Sequence, residues 1–313
     1  MTYLISIISE HLLPNYFLAK ELEGQYNLHI FITTARMENH KMSERFCKTL
    51  GIETNEVKII TVSEDSLPDV MHKLQSEQFN DTDRFIVNLT GGTKIISIGA
   101  FTWFFKKTED FYYVPIGVNK IQKVKTGIEM PLNYRVNVAE YLSLYGLRFT
   151  HEGVEKSDVH NDPGARFEVN MFNRLKSDLG INSGHILRGV KLYREDSSHR
   201  NDNEIDVMWT ADNQLFVCEC KLSLNKARAM DWSEGEGRPI ANPVEYLDEI
   251  MYKLAAISKD FGLRVNLYIF TLHRFSPPVF TPQRMKAIEK RMKILGIKGL
   301  LGKEELSKNK LKI

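Results

Sequence analysis

The chain has 313 residues, 42% of them hydrophobic and 26% charged, with a formal net charge of +2. Those proportions exclude a disordered or collagen-like polymer, and the length exceeds what one hydrophobic core usually organises, so two domains are expected. The near-neutral balance is no general sign of a nucleic-acid binder. From Arg284 to the end, however, ten Lys or Arg stand against three acids (Glu289, Glu304, Glu305), which reads either as a solvated helix face or as a phosphate-facing surface. The longest apolar run, Ile95 to Phe105, is too short to span a bilayer and is flanked by Lys94 and Lys106. The first residues, MTYLISIISEHLLPN, lack a basic n-region and a small-residue cleavage site, so no secretion signal is expected, and three cysteines (Cys47, Cys218, Cys220) cannot build a disulfide framework. A cytoplasmic protein without a membrane segment is expected.

Residues 1 to about 117 alternate strands with helices. Strands are predicted at Tyr3–Ser9, Leu28–Thr33, Val57–Val62, Phe85–Leu89 and Phe111–Ile116. Helices are predicted at Pro14–Glu23, Met37–Leu50, Leu67–Phe79 and Thr93–Phe105. Apolar strands interleaved with amphipathic helices argue for a parallel sheet covered on both faces, a doubly wound, Rossmann-like α/β domain. A hairpin is expected between Ile116 and Ile121. From Pro131 to Pro163 the periodicity fades apart from one short helix (VAEYLSLYG), and a domain boundary is placed there. The second half reads as helix (Ala165–Leu179), three strands (Ile186–Arg194, Glu204–Trp209, Leu215–Lys221), helix (Val244–Lys259) and strand (Arg264–Leu272).

The stretch NEIDVMWTADNQLFVCECK, Asn203 to Lys221, carries the most chemistry. Asp212-Asn213 as a two-residue turn sets the register, so that Asp206 lies opposite Glu219 and Glu204 opposite Lys221, all on one face. Two carboxylates about 5 Å apart at their Cβ atoms repel unless a cation lies between them. Oxygen ligands of that kind suit Mg²⁺ or Mn²⁺, and the Cys220 carbonyl would add another. Lys221 would position a water or steady charge on a phosphodiester. The competing reading is an exposed hairpin with charges on its wet face. Cys218 and Cys220 fall on the other face, where buried hydrophobes are expected rather than zinc ligands.

Asp206 with Glu219-Cys220-Lys221 resembles the D…(D/E)xK motif of the restriction-endonuclease-like superfamily, whose core is αβββαβ. The resemblance covers about residues 161 to 272. It implies a further carboxylate from the first helix, for which Glu168 stands at the matching place; an exposed polar helix position is the alternative. Ile205 stands where many members have proline.

In the first half, Thr90-Gly91-Gly92-Thr93-Lys94 follows a strand and opens a helix. Two glycines let a backbone approach a ligand, Thr93 can cap the helix and Lys94 can meet an anion. A plain tight turn is the alternative, and the spacing is not that of a Walker A loop. Together with ISEHLLPN after the first strand, NLTGGTKIIS resembles the ligand-facing segments of CARF domains, the cyclic-oligoadenylate sensors of CRISPR defence. That resemblance implies a pocket lined by Ser9, Glu10, His11 and Asn15 and by Thr90, Gly91, Gly92, Thr93 and Lys94.

The two resemblances together imply a CARF domain at 1–135, a linker at 136–160 and a nuclease domain at 161–313. The implied protein is a homodimeric endonuclease that cuts DNA or RNA with Mn²⁺ or Mg²⁺. Cyclic oligoadenylate, usually cyclic tetra-adenylate, would activate it. The alternatives are a ligand-binding regulator whose second domain is not catalytic, and a first domain that degrades its own ligand. An Arg194…His199 spacing of the HEPN type falls in a polar loop rather than on a helix and is set aside. Trp232 and Arg238, in the long excursion 223–243, either contact substrate or fold back on the domain. Trp103, Phe104 and Phe105 are expected on a helix core face.

Overall fold

The computed structural model describes residues 1–152, 162–194, 204–225, 242–262, 265–311 and 313. The chain divides into two compact units, Met1–Val136 with Glu140–Gly146, and Asn137–Ala139 with Leu147–Ile313.

In the first unit β1 (Thr2–Ile7), α1 (Leu13–Glu21), β2 (Leu28–Thr33), α2 (Ala35–Asn39), α3 (Met42–Leu50), β3 (Val57–Thr61), α4 (Leu67–Gln75), β4 (Arg84–Asn88) and α5 (Lys94–Phe104) lead to three short strands. These are β5 (Phe111–Tyr113), β6 (Lys120–Lys123) and β7 (Glu129–Pro131). The sheet order is β3-β2-β1-β4-β5-β6-β7. The first five run parallel, as their continuous apolar sequences require, and β6 and β7 close the edge antiparallel. Ile5, Ile7, Ile30, Ile32 and Val87 pack against Val70 and Leu74 of α4 and Ile96, Ala100 and Phe104 of α5. On the other face, Phe31 and Tyr16 meet Phe46 of α3 edge to face. The sheet is therefore sandwiched.

Two expectations for this unit change. The helix predicted over Met37–Leu50 is two helices, because Lys41 takes a left-handed conformation (φ 54°) and Thr34 caps the first with its side chain. Glu38 holds the break together, accepting the hydroxyls of Thr33 and Ser43 at 2.6 Å each. The strand predicted over Phe111–Ile116 is shorter. Of the aromatic run, Phe104 is buried and Trp103 partly so, whereas Phe105 caps α5 and is 46% exposed under the Lys125 ammonium.

The stretch 136–160, where described, holds α6 (Val138–Leu144) and β8 (Leu147–Glu152). The second unit continues with α7 (Pro163–Leu179), β9 (Ile186–Arg194), β10 (Glu204–Ala211), β11 (Gln214–Lys221), α8 (Pro243–Ser258) and β12 (Val265–Thr271). It ends with α9 (Pro282–Leu295), β13 (Ile297–Leu301) and α10 (Lys303–Leu306). The sheet order is β13-β12-β11-β10-β9-β8. Helix, three antiparallel strands, helix and a strand parallel to the third thus run from α7 to β12, with β8 added at one edge and β13 at the other. Phe167, Met171 and Leu175 of α7 pack on Val207, Trp209, Cys218, Cys220 and Phe270. Both cysteines are buried, as their side of the ribbon predicts. The basic residues of α9 sit on its exposed face, except that Arg291 pairs with Asp248 of α8. Among the described residues no helix is long and apolar enough to cross a membrane.

Candidate functional site

Asp212 and Asn213 both adopt positive φ (49° and 59°), the backbone that a two-residue turn needs to match strand twist. The turn fixes the ribbon: Ala211 pairs with Gln214, Thr210 with Leu215, Trp209 with Phe216 and Val207 with Cys218. Beyond Val207 the ladder ends. Asp206, next along β10, accepts the backbone N–H of Cys220 through Oδ2 at 2.6 Å, so a side chain replaces a main-chain partner and the two strands part.

That fork corrects one expectation. Glu204 does not meet Lys221; it lies opposite Lys191 of β9 and pairs with its ammonium at 3.3 Å. Lys221 turns inward instead. Its Nζ lies 3.4 Å from Asp206 Oδ2, 2.7 Å from Glu219 Oε1 and 3.2 Å from the Cys220 carbonyl. One ammonium is thus shared by the three oxygens that the ribbon was expected to offer to a metal. Both carboxylates are deep, with Asp206 7% and Glu219 2% exposed, and Glu219 Oε2 is buried without a hydrogen-bond partner. A cage of hard oxygens already holding a positive charge, with one buried oxygen still free, fits Mg²⁺ or Mn²⁺.

Burial and the neighbouring Glu219 raise the Asp206 carboxyl above its ordinary range. Burial would lower Lys221, but Asp206 and Glu219 outweigh it and hold the ammonium charged. Glu168, on the first turns of α7, is half-buried and pushed up to about 7, by burial first and the Asp206 charge second. Its carboxyl feels the charges of Asp206 and Lys221 without a hydrogen bond to either. Among the described residues no three His, Cys, Asp or Glu side chains converge into a ready-made metal shell. Asp206, Glu219 and the Cys220 carbonyl are brought together, and Glu168 flanks them.

Lys253 of α8 joins this group at 3.3 Å from Glu219 Oε1. No spacing in the sequence pointed to it, because only the packing of α8 against β12, the strand parallel to β11, brings it there. His199, Trp232 and Arg238 lie outside the described residues. Arg194 pairs with Asp260.

In the first unit the two predicted segments leave the carboxyl ends of β1 and β4, adjacent strands at the point where the order reverses. Ligands of open α/β sheets sit at that kind of crevice. Gly91 (φ 113°) and Gly92 (φ 64°) bring the second loop onto the first. A Cβ on Gly91 would stand 2.6 Å from the Ile7 carbonyl, and one on Gly92 would stand 2.4 Å from the Ile7 side chain. Thr93 caps α5 by accepting from Ile96 N and donates to the Glu64 carbonyl at 2.7 Å. Gly92, Thr93 and Lys94 are exposed, Ser9, His11 and Gly91 half-buried, and Glu10 exposed in a pair with Arg36.

Asn15 and Thr90 are placed differently from the pocket-lining role expected of them. Asn15 is fully buried, donating to the Ile7 carbonyl at 2.7 Å and accepting from Asn88 at 2.8 Å. Thr90 is 6% exposed and accepts from Val114 N at 2.7 Å. Both brace the loops from beneath.

Residues 3–141 match the family model of the Card1 CARF domain. The α/β fold with two mixed sheets agrees with a CARF-type, Rossmann-like first unit. No curated protein matches the sequence. Among solved structures, Can2 from Sulfobacillus thermosulfidooxidans, in complex with cyclic tetra-adenylate, superposes with a TM-score of 0.71 at 18% identity, over 97% of this chain and 96% of that one. Protein VC1899 from Vibrio cholerae gives 0.70 at 14% identity, over 97% and 95%. A type III CRISPR defence DNA nuclease activated by cyclic oligoadenylate gives 0.59 at 15% identity, over 94% of this chain and 51% of that one. At these identities the likeness is one of fold.

Proposed function

We propose that the protein is a cyclic-oligoadenylate-activated, divalent-metal-dependent endonuclease of type III CRISPR antiviral defence. It cuts DNA or RNA as a homodimer, with a CARF domain as sensor and a restriction-endonuclease-like αβββαβ domain as effector. The observation that carries the nuclease reading is the Lys221 ammonium held at once by Asp206, Glu219 and the Cys220 carbonyl. The CARF-domain match over residues 3–141, and relatives in fold that hold or respond to cyclic oligoadenylate, support the sensor.

Asp206, Glu219 and the Cys220 carbonyl would hold Mn²⁺ or Mg²⁺, with Glu168 available from α7. When bound, such an ion supplies Lewis-acid polarisation of the phosphodiester and acidifies a coordinated water. The chain itself contributes orientation. Asp206 is fixed by Cys220 N, Glu219 is walled in by the sheet, and Lys221 keeps its charge beside both. Lys221 Nζ orients the attacking water or steadies charge on the phosphate. In the first unit, Gly91, Gly92, Thr93 and Lys94 offer close backbone, a helix start and a cation to a phosphate-bearing ring. A cyclic effector on a two-fold axis meets the same residues of both protomers. It activates only by favouring one dimer arrangement over another.

Labelled DNA and RNA incubated with wild type and Glu219→Ala, with and without each cyclic oligoadenylate, in Mn²⁺ and in Mg²⁺, test the proposal. Cleavage that needs effector and metal and vanishes in the variant is expected. Equal cutting by the variant removes the site, and no cutting under any condition favours a regulator with a non-catalytic second unit.

A further inference from the structure

We infer that Lys253 is a substrate-phosphate contact, parked on Glu219 until a divalent cation displaces it and a nucleic-acid phosphate takes it up. The inference rests on the nuclease reading and assigns a residue that neither the hairpin motif nor the α7 carboxylate includes.

Glu219 is served unevenly. Its Oε1 takes two ammoniums, Lys221 at 2.7 Å and Lys253 at 3.3 Å, while its buried Oε2 takes none. Two carboxylates, Asp206 and Glu219, are balanced by two ammoniums, Lys221 and Lys253, so an added divalent cation would tip the cluster positive. The second ammonium is therefore in surplus once another cation arrives. With a divalent ion held by Asp206 and Glu219, both lysines would be repelled, and the more weakly held one would yield. That is Lys253. Its contact is longer than that of Lys221, and its side chain is 37% exposed against 25% for Lys221 and 3% for Glu219.

Lys253 also stands on α8, apart from the ribbon, so its stem can swing without disturbing β10 or β11. A lysine is a compact charge on a flexible chain, suited to following a moving anion. Once displaced at the mouth of a site that cuts phosphodiesters, its ammonium meets the phosphate backbone.

The test pairs a measurement without substrate with one that includes it. In the full-length protein without nucleic acid, Mn²⁺ binding followed by electron paramagnetic resonance should tighten by about tenfold in Lys253→Gln, because a competing positive charge has gone. Lys253→Arg keeps the charge and should bind Mn²⁺ as wild type does. With cyclic tetra-adenylate and a labelled oligonucleotide, Lys253→Gln should raise KM. It should also lower the slope of log KM against log salt by about one, the signature of a lost phosphate contact. Wild-type Mn²⁺ affinity in Lys253→Gln, or an unchanged salt slope, overturns the inference alone. A wild type that binds no Mn²⁺ strikes the nuclease reading beneath it.

Discussion

Single residues set the conditions on which both sites depend. Gly91 combines φ 113° with a Cβ position 2.6 Å from the Ile7 carbonyl. Gly91→Ala should destabilise the protein by about 1–3 kcal/mol, the usual cost of such backbone strain, and abolish effector binding. A calorimetric scan and a ligand titration check this, and unchanged values in both refute it. His29 offers a pH test. It is 2% exposed, its Nε2 is paired with Ser6 at 2.8 Å, and burial lowers it to about 3 from 6.5. The folded chain thus keeps His29 neutral while the unfolded chain takes a proton below about pH 6.5. Its contribution is full above pH 6.5 and is lost as the pH falls toward 3, by about 1.4 kcal/mol per unit. Denaturant melts of wild type against His29→Gln should converge on acidification; parallel curves would contradict the assignment.

At the scale of elements, α1 and β4 are joined through Asn15, which ties the Ile7 carbonyl to Asn88 at full burial. Asn15→Ala should therefore cost about 1–3 kcal/mol in chemical denaturation, since buried polar partners are left unpaired. Ser9→Ala, in the half-buried loop, should leave stability alone and weaken the effector. Similar losses of stability in both variants would show that the braces and the pocket wall are not separate.

The ribbon shows what the sequence could and could not say about elements. Asp212-Asn213 made the register legible because a two-residue turn leaves no freedom in pairing. The fork past Val207 was not legible, because it follows from Asp206 turning its carboxylate onto Cys220 N, and so Glu204 pairs with Lys191 rather than with the Lys221 that strict alternation predicts. β7 has three residues and β8 alternates weakly, so neither stands out in a window of sequence. The break at Lys41 is a left-handed residue in a helical pattern. Lys253 carries no local signal, since only the docking of α8 places it at Glu219.

At the scale of the whole molecule, the proposed function divides sensing and chemistry between the two units, so each should be separable by substitution. Lys94 is exposed and pairs with no described carboxylate, which leaves it free for an anion. Lys94→Ala should raise the cyclic tetra-adenylate concentration needed for half-maximal cleavage by about tenfold, a typical loss for one charged contact to phosphate. Mn²⁺ affinity should stay at the wild-type value. A parallel loss of metal binding would mean that the units do not divide the work in this way.

On the proposed function, Asp206 and Glu219, now closed around Lys221, would together hold one divalent cation. Direct Mn²⁺ titration of wild type beside Asp206→Asn and Glu219→Gln, without nucleic acid or effector, tests it most plainly. Both substitutions keep size and hydrogen bonding while removing charge, and each should weaken binding by about tenfold or more. Wild type that binds no Mn²⁺, or variants that bind it equally well, would contradict the account.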